Sequence, residues 1–249
     1  MQIHAEYTLH GHFHFLKHLL QGAQKLVFFL DQESGIRSAC HSAFLERILD
    51  KSCEAFYVRI NKDLTIHKKQ ALKRQSEAAL RIYVENNPHL AQLELEDVRL
   101  FYLEEALRDR KAIGPWKDEW MIYPFPSMSE PEKAVCWLTD IGDRSYSDAE
   151  MASLFMKATL HPIDRFFMQA RRRVSPLERS IFSSSSSGRI WNAYAPYRPE
   201  MAVWLLDIFR VFYNYVKVGN DKKTPAMRLG LARGPVAPKE IIYFVPNLN

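Results

Sequence analysis

The sequence predicts an α/β protein with a layered core, and three observations support this fold class. Two apolar runs, residues 25–30 and 54–60, have the length and composition of strands buried on both faces. Residues 36–48, between them, carry apolar side chains at helical spacing. Ahead of these lie a strand-like stretch at residues 2–8 and a helical pattern at residues 11–21. The expected order is therefore strand, helix, strand, helix, strand.

The pattern changes after residue 61 to a charged and mostly helical stretch that continues to about residue 110. Asn86, Asn87 and Pro88 divide this stretch into two helices. Residues 114–132 contain four prolines and are expected to form an ordered loop. Residues 133–140 are apolar enough to form one more strand.

The last two-fifths of the chain is predicted to be helical on both sides of a flexible hinge. Ser147 and Glu150 form a capping box that opens one helix, and Pro162 is suited to the first turn of the next. The hinge consists of five serines and a glycine at residues 183–188. The final helix is expected from about residue 201 to residue 218.

The positive charge of the chain is concentrated in one region. The whole sequence has a formal net charge of +5, and residues 161–199 alone contain seven arginines and two acids. Such a local excess is typical of a surface that faces a polyanion, above all a nucleic acid. The sequence has three widely spaced cysteines, and it shows neither a membrane-length apolar run nor a signal peptide pattern. These observations predict a cytoplasmic protein without membrane association.

Two aspartates are candidate metal ligands. Asp31 follows the strand at residues 25–30, where a carboxylate is rigidly placed and reaches solvent, although a turn-forming role explains the same position. Asp164 lies in the first turn of a predicted helix, with Arg171 two turns along the same face. An acid in the first turn is also favoured by the helix dipole, so each aspartate keeps a purely structural interpretation.

An arginine-rich stretch lies beside Asp164 and is the candidate DNA-binding surface. Basic side chains neutralise phosphates, and the aromatic residues that follow the hinge can stack on unpaired bases. A solvated helix face is the structural alternative. The candidate DNA-binding residues are Arg165, Arg171, Arg172, Arg173, Arg179 and Arg189.

Three blocks of the sequence resemble DDE-type insertion-sequence transposases. The block FFLDQESGIRSA, which contains Asp31, resembles the strand that carries their second catalytic acid. The block IDRFFMQARRRVSPLERSIFSSSSS resembles the region of their third acid, with Asp164 in the acid position and Arg171 in the basic position seven residues later. The third block, FYNYVKVGNDKKTPAMRLGLARGPV, resembles their C-terminal tail.

The resemblance implies an RNase H-like core that cleaves and joins DNA strands with Mg²⁺ or Mn²⁺. It also implies DNA as partner, both transposon ends and target, with a homodimer or higher oligomer on the bacterial nucleoid. Two departures stand out. Asp164 occupies a position that is usually Glu. The first acid has no place, because this fold carries it on the first of three hairpin strands before the first helix, and here only the strand-like stretch at residues 2–8 precedes that helix. The resemblance thus implies an incomplete core that lacks its first strands and the end-recognition domain.

The resemblance gives four segments. Residues 1–61 form the partial RNase H-like core, and residues 62–132 a helical insertion with a Pro-rich loop. Residues 133–180 complete the core with the third-acid helix, and residues 181–249 form the hinge, helix and tail. Two functions remain open: a transposase with an incomplete active site, or a non-enzymatic DNA-binding or dimerising remnant that modulates a full-length transposase. A degraded reading frame without function is the third possibility.

Several other residues could carry chemistry, each with a plainer explanation. His10, His14 and His18 share one helix face, but no Glu or Cys completes a metal-site spacing. Asp140 and Asp143 fit a loop better than a metal site. The remaining candidates are Glu178, a rival third acid without a basic residue seven positions on, and the lysine-rich start of the helix after residue 61.

Overall fold

The computed structural model describes residues 2–33, 35–61, 63–113, 118–139, 146–178, 181–182, 190–191 and 198–245. The chain divides into two compact units, Met1–His161 and Pro162–Asn249. The boundary lies inside the segment 133–180 that the resemblance treats as one piece.

The first unit is built on a mixed five-stranded sheet, which confirms the α/β class. Its strands lie in the order β1-β2-β5-β4-β3. β1 and β2 are parallel, and the other neighbouring strands are antiparallel. The strands are β1 (Leu26–Asp31), β2 (Cys53–Asn61), β3 (Lys111–Ile113), β4 (Asp118–Ile122) and β5 (Glu132–Trp137).

Helices cover both faces of this sheet because successive side chains of a strand point to opposite sides. On β2, Ala55 and Tyr57 join a core with α1 and α2, whereas Phe56 and Val58 join a core with α4 and α5. The central β2 is therefore buried on both faces, as predicted. The helices of the unit are α1 (Gln2–Leu19), α2 (Ile36–Leu49), α3 (Ile66–Asn86), α4 (Leu95–Ala106) and α5 (Asp148–Lys157).

The predicted strand at residues 2–8 is wrong, because these residues belong to α1. Leu9, Phe13 and Leu16 follow helical spacing and pack on the same core, so one continuous helix buries more apolar surface than a short strand followed by a helix. Moreover, the three antiparallel strands β3, β4 and β5 follow the β1-α2-β2 unit along the chain, whereas the implied core has its hairpin strands before the first helix.

The ordered loop predicted at residues 114–132 is also wrong in part, since β4 lies within it. Trp120 and Met121 are consecutive and both buried, one in each core. A strand buried on both faces shows no polar alternation, and the surrounding prolines concealed it. The helix break at Asn87, the strand β5 and the capping box at Ser147 are confirmed.

A buried ion pair fixes the end of the first unit to its sheet. Lys133 on β5 is 5% exposed and donates to Glu130 Oε2 at 3.1 Å and to the carbonyl of Ala158 at 2.7 Å. Glu130 is 7% exposed, and its Oε1 accepts from Thr159 Oγ1 at 2.5 Å and from the backbone N–H of Leu160 at 2.9 Å. Together these contacts hold residues 158–160 against the sheet.

The three cysteines, Cys40, Cys53 and Cys136, are all buried and unpaired in the first core. Burial raises the pKa of Cys40 to about 12, that of Cys53 to about 11 and that of Cys136 to about 12. At neutral pH these thiols are therefore protonated packing groups.

The second unit is mostly helical, with a small core of its own. Ala170 and Val174 pack against Phe209, and Phe166, Leu177, Leu205 and Tyr213 surround them. After α7 the chain continues as one π-helical stretch, Phe212–Val216, in place of the regular helix predicted to residue 218. The elements are α6 (His161–Arg173), β6 (Ile181–Phe182), β7 (Ile190–Trp191), α7 (Pro199–Val211), α8 (Pro225–Arg228) and α9 (Pro238–Ile242).

Across the described ranges, no helix combines the length and the hydropathy that crossing a membrane requires.

Candidate nucleic-acid interface and metal ligands

The helix α6 carries most of the predicted DNA-binding residues. Its apolar side, Phe166 and Ala170, packs on the small core of the second unit. On the rest of the helix surface, the side chains of Arg165, Arg172 and Arg173 are exposed and that of Arg171 is half-buried. Asp164 in the first turn and the arginines in the last turn both suit the helix dipole, so local electrostatics stabilises this helix whatever it binds.

The segment after the π-helical stretch adds a cation that the sequence pattern did not indicate as a candidate. Lys217, directly after the π-helical stretch, donates a hydrogen bond to Gln169 Oε1 of α6. Arg173 lies over the ring of Phe212, with its guanidinium carbon 5.6 Å from the ring centroid. Burial, followed by repulsion from Arg173 and Arg165, lowers the pKa of Lys217. We call Arg165, Arg173 and Lys217 the basic cluster.

The basic cluster is positioned by aromatic packing between α6 and the C-terminal part of the unit. Phe166 contacts Tyr213 with ring centroids 5.1 Å apart and Phe209 with centroids 5.7 Å apart. Lys217 is 48 residues from Gln169 along the chain, so no local periodicity could have revealed their contact. The only sequence signal was that both segments belong to blocks that resemble transposases.

Two other cations of the second unit are held in ion pairs. Arg210 lies 3.1 Å from Asp207 Oδ1, and Arg228 lies 2.8 Å from Asp221 Oδ1. The hydrogen bond from Arg228 lowers the pKa of Asp221 to about 2. These pairs are exposed and offer matched controls for the basic cluster.

Asp31 is the last residue of β1, and it is exposed, as a metal ligand at a strand end must be. Its carbonyl accepts from the backbone N–H of Glu33 at 2.9 Å, so the residue also begins a tight turn. The metal-ligand and turn interpretations of Asp31 are therefore compatible.

The structure places the two candidate acids in different units: Asp31 in the first and Asp164 in the second. Their convergence on one metal ion stays a prediction. Among the residues that the structure describes, no group of three or more His, Cys, Asp or Glu side chains could hold a metal ion. Asp140, Asp143, Arg179, Arg189 and the serine hinge lie outside the described residues.

The remaining candidates fit structural roles. Gln21 Nε2 donates a hydrogen bond to Nδ1 of His18 on α1, with 2.6 Å between the two nitrogens. Glu178 is exposed and directly follows a short 3₁₀ turn. On α3, Lys68 and Arg74 are exposed and Lys73 pairs with Glu77 at 3.7 Å, which is typical of a solvated helix face.

Comparison of the chain with protein-family models, with curated proteins and with solved structures finds no match in any of the three.

Proposed function

We propose that this chain is a DDE-type transposase of the insertion-sequence class, which binds DNA and carries an incomplete catalytic set. One observation carries the proposal. The two blocks that resemble transposases in the C-terminal half pack on each other through Phe166 and Tyr213, and their contact assembles the basic cluster. The partners are transposon ends and target DNA, bound by a homodimer or higher oligomer in the bacterial cytoplasm, at the nucleoid.

The RNase H-like core is the finer part of this proposal. Its support is the β1-α2-β2 unit, with an exposed Asp31 where β1 ends. The later position of the antiparallel strands is a departure from that fold. If Asp31 and Asp164 hold Mg²⁺ or Mn²⁺, the ion would supply activation of the attacking hydroxyl and stabilisation of the leaving oxygen. Asp31 and Asp164 have the hard oxygen ligands that these ions require. Among the described residues, no group of three or more His, Cys, Asp or Glu side chains could hold a metal ion.

The DNA-binding proposal predicts a steep dependence of affinity on salt. Each phosphate contact contributes a slope of about −0.9 in a plot of log affinity against log salt concentration. Replacing all three residues of the basic cluster by glutamine should therefore make the slope shallower by about 2.7. Fluorescence anisotropy with a labelled DNA duplex, from low to physiological salt, measures this change.

The matched control is Arg210→Gln, which removes an exposed cation of the same unit that is already paired with Asp207. It should change the slope by less than a third of the effect of the triple variant. A salt-independent affinity of the unmodified chain, or equal slopes for the triple variant and the control, would remove the DNA-binding role of the cluster.

The non-enzymatic remnant is the second candidate, because no block of the sequence resembles the strand that carries the first catalytic acid. The two functions differ in metal binding. If Asp31 and Asp164 are ligands, Asp31→Asn or Asp164→Asn should each weaken Mn²⁺ binding about tenfold or more. Electron paramagnetic resonance of free Mn²⁺ measures this affinity in the full chain.

Asp207→Asn is the control for metal binding, since Asp207 is an exposed acid outside the proposed site. Equal Mn²⁺ affinities for all variants would reject the metal site and leave the non-enzymatic DNA-binding remnant as the better description. Salt-dependent DNA binding would stand in either case, because it depends on different residues.

A further inference from the structure

The strand β1 lies at one edge of the five-stranded sheet, and within the described residues it pairs only with β2. The backbone N–H of Leu26 donates to the carbonyl of Ser52, just before β2, at 2.8 Å. Successive backbone groups of a strand point alternately to its two sides. The N–H and C=O groups of Val27 and Phe29 therefore face the free edge.

Within the described residues, this edge lacks several of the devices that usually protect a sheet from pairing with another chain. Those devices are short length, proline, inward-pointing charge and bulges. The opposite edge strand, β3, is only three residues long. β1 is six residues long and apolar from Leu26 to Leu30, and it pairs with β2 in unbroken register. Such a strand is a template for strand addition.

The charges that flank β1 select the chain that could add to it. Lys25 precedes the strand, Asp31 ends it, and both side chains are exposed. If a second copy of β1 runs antiparallel with Phe28 opposite Phe28, Lys25 of each copy lies opposite Asp31 of the other. Opposite charges placed directly across two strands attract, whereas the parallel arrangement would place like charges together.

The same register pairs the outward backbone hydrogen-bonding groups and keeps the apolar side chains in their two layers. Val27 lies opposite Phe29, so the outward N–H and C=O groups of each meet those of the other in hydrogen-bonded pairs. Leu26 lies opposite Leu30, on the face covered by α1 and α2 in both copies. Because the register keeps every side chain on its own face, both apolar layers continue across the junction.

We propose that a second copy of this chain adds to the free edge of β1 in antiparallel register, centred on Phe28, and joins the two sheets across a two-fold axis. Lys25 Nζ lies 4.5 Å from the centroid of the Tyr146 ring in the single chain, and in the dimer it turns to Asp31 of the second copy. This names an interface that the proposed function leaves unspecified. It uses none of the residues of the basic cluster, and Asp31 is the one residue that it shares with the proposed metal site.

A charge swap tests the register. Lys25→Glu and Asp31→Lys each place like charges at both ends of the paired strands, so each should raise the dimer dissociation constant about tenfold. The double variant Lys25→Glu/Asp31→Lys restores both pairs in reversed order and should regain the affinity of the unmodified chain. Sedimentation equilibrium of the full chain measures the constants, with circular dichroism as the check on folding.

Two further variants complete the test. Val27→Pro removes an outward N–H and should also favour the monomer, because proline is tolerated on an edge strand but cannot donate. Lys68→Glu reverses an exposed charge on α3 and should leave the dimer unchanged. A monomeric unmodified chain, or a dimer that is insensitive to Lys25→Glu, would overturn the proposal. Neither outcome affects the DNA measurements on the basic cluster.

Discussion

Replacing Glu130 by alanine is expected to lower the free energy of unfolding of the first unit by about 3–5 kcal/mol. The substitution leaves the ammonium group of Lys133 buried beside the Tyr123 ring without its carboxylate. It also removes the acceptor of Thr159 Oγ1 and of the Leu160 N–H. Urea unfolding followed by tryptophan fluorescence measures the loss.

The control for this prediction is Glu77→Ala, which breaks the pair with Lys73 on the surface of α3. Both partners of that pair are more than half exposed, so the substitution should cost at most about 1 kcal/mol. The double variant Glu130→Ala/Lys133→Met removes both buried charges and should be less destabilised than Glu130→Ala alone. If Glu130→Ala and Glu77→Ala lower the free energy of unfolding equally, the buried pair contributes no more to stability than the exposed pair.

The ion pair between Glu130 and Lys133 also makes the free energy of unfolding depend on pH. Burial would raise the pKa of Glu130, but hydrogen bonds from Thr159 and Leu160, together with the charge of Lys133, outweigh it and lower the pKa below its usual 4.5. The unfolded chain therefore binds the proton more readily than the folded chain. The contribution of Glu130 is complete above about pH 4.5 and is lost as the pH falls through the lowered value. Glu130→Gln should remove this part of the acid dependence.

Replacing Phe56 by alanine is expected to cost a further large fraction of the stability, about 3–5 kcal/mol. Phe56 on β2 is fully buried and contacts three aromatic rings from three elements. Its ring centroid lies 5.6 Å from Phe29, 6.2 Å from Trp137 and 5.4 Å from Phe155. The cavity would open where β1, β5 and α5 meet, and rings held by three separate elements cannot all move in to fill it.

Ile122→Ala on β4 of the same sheet is the matched control, because Ile122 is 74% exposed and should change stability by about 0.5 kcal/mol or less. The same urea experiment compares the two. If both variants lose the same free energy, the contact between the sheet and α5 is not the close packing that the ring distances describe.

Sequence periodicity predicted the parts of the fold in which local pattern and tertiary packing agree. β1, α2 and β2 were predicted because an apolar run, a helical stripe and a second run follow one another. The start of α1 was mistaken because a stretch of seven residues cannot show whether its helix continues, and Leu9 and Phe13 settle that only by their packing on the core. β4 was missed because burial on both faces removes the alternation that marks a strand.

The candidate site was predictable residue by residue but not as an arrangement. The sequence indicated that Asp31 ends a strand and that Asp164 opens a helix, and the structure confirms both positions. It could not indicate that Lys217 reaches α6, since that contact depends on how Tyr213 and Phe166 pack. Whether the two aspartates share an ion depends on the arrangement of two separate units, which no local pattern encodes.

The three cysteines of the first unit are buried, so they react only slowly with alkylating reagents while the unit is folded. A thiol reacts with alkylating reagents as its thiolate, and with pKa values of about 11 or 12 only a minute fraction is ionised at neutral pH. Opening of the unit returns Cys40, Cys53 and Cys136 to solvent and to ordinary reactivity. Alkylation therefore marks each molecule whose sheet has opened, and a cysteine engineered onto the surface could carry a label with little competition from the native three.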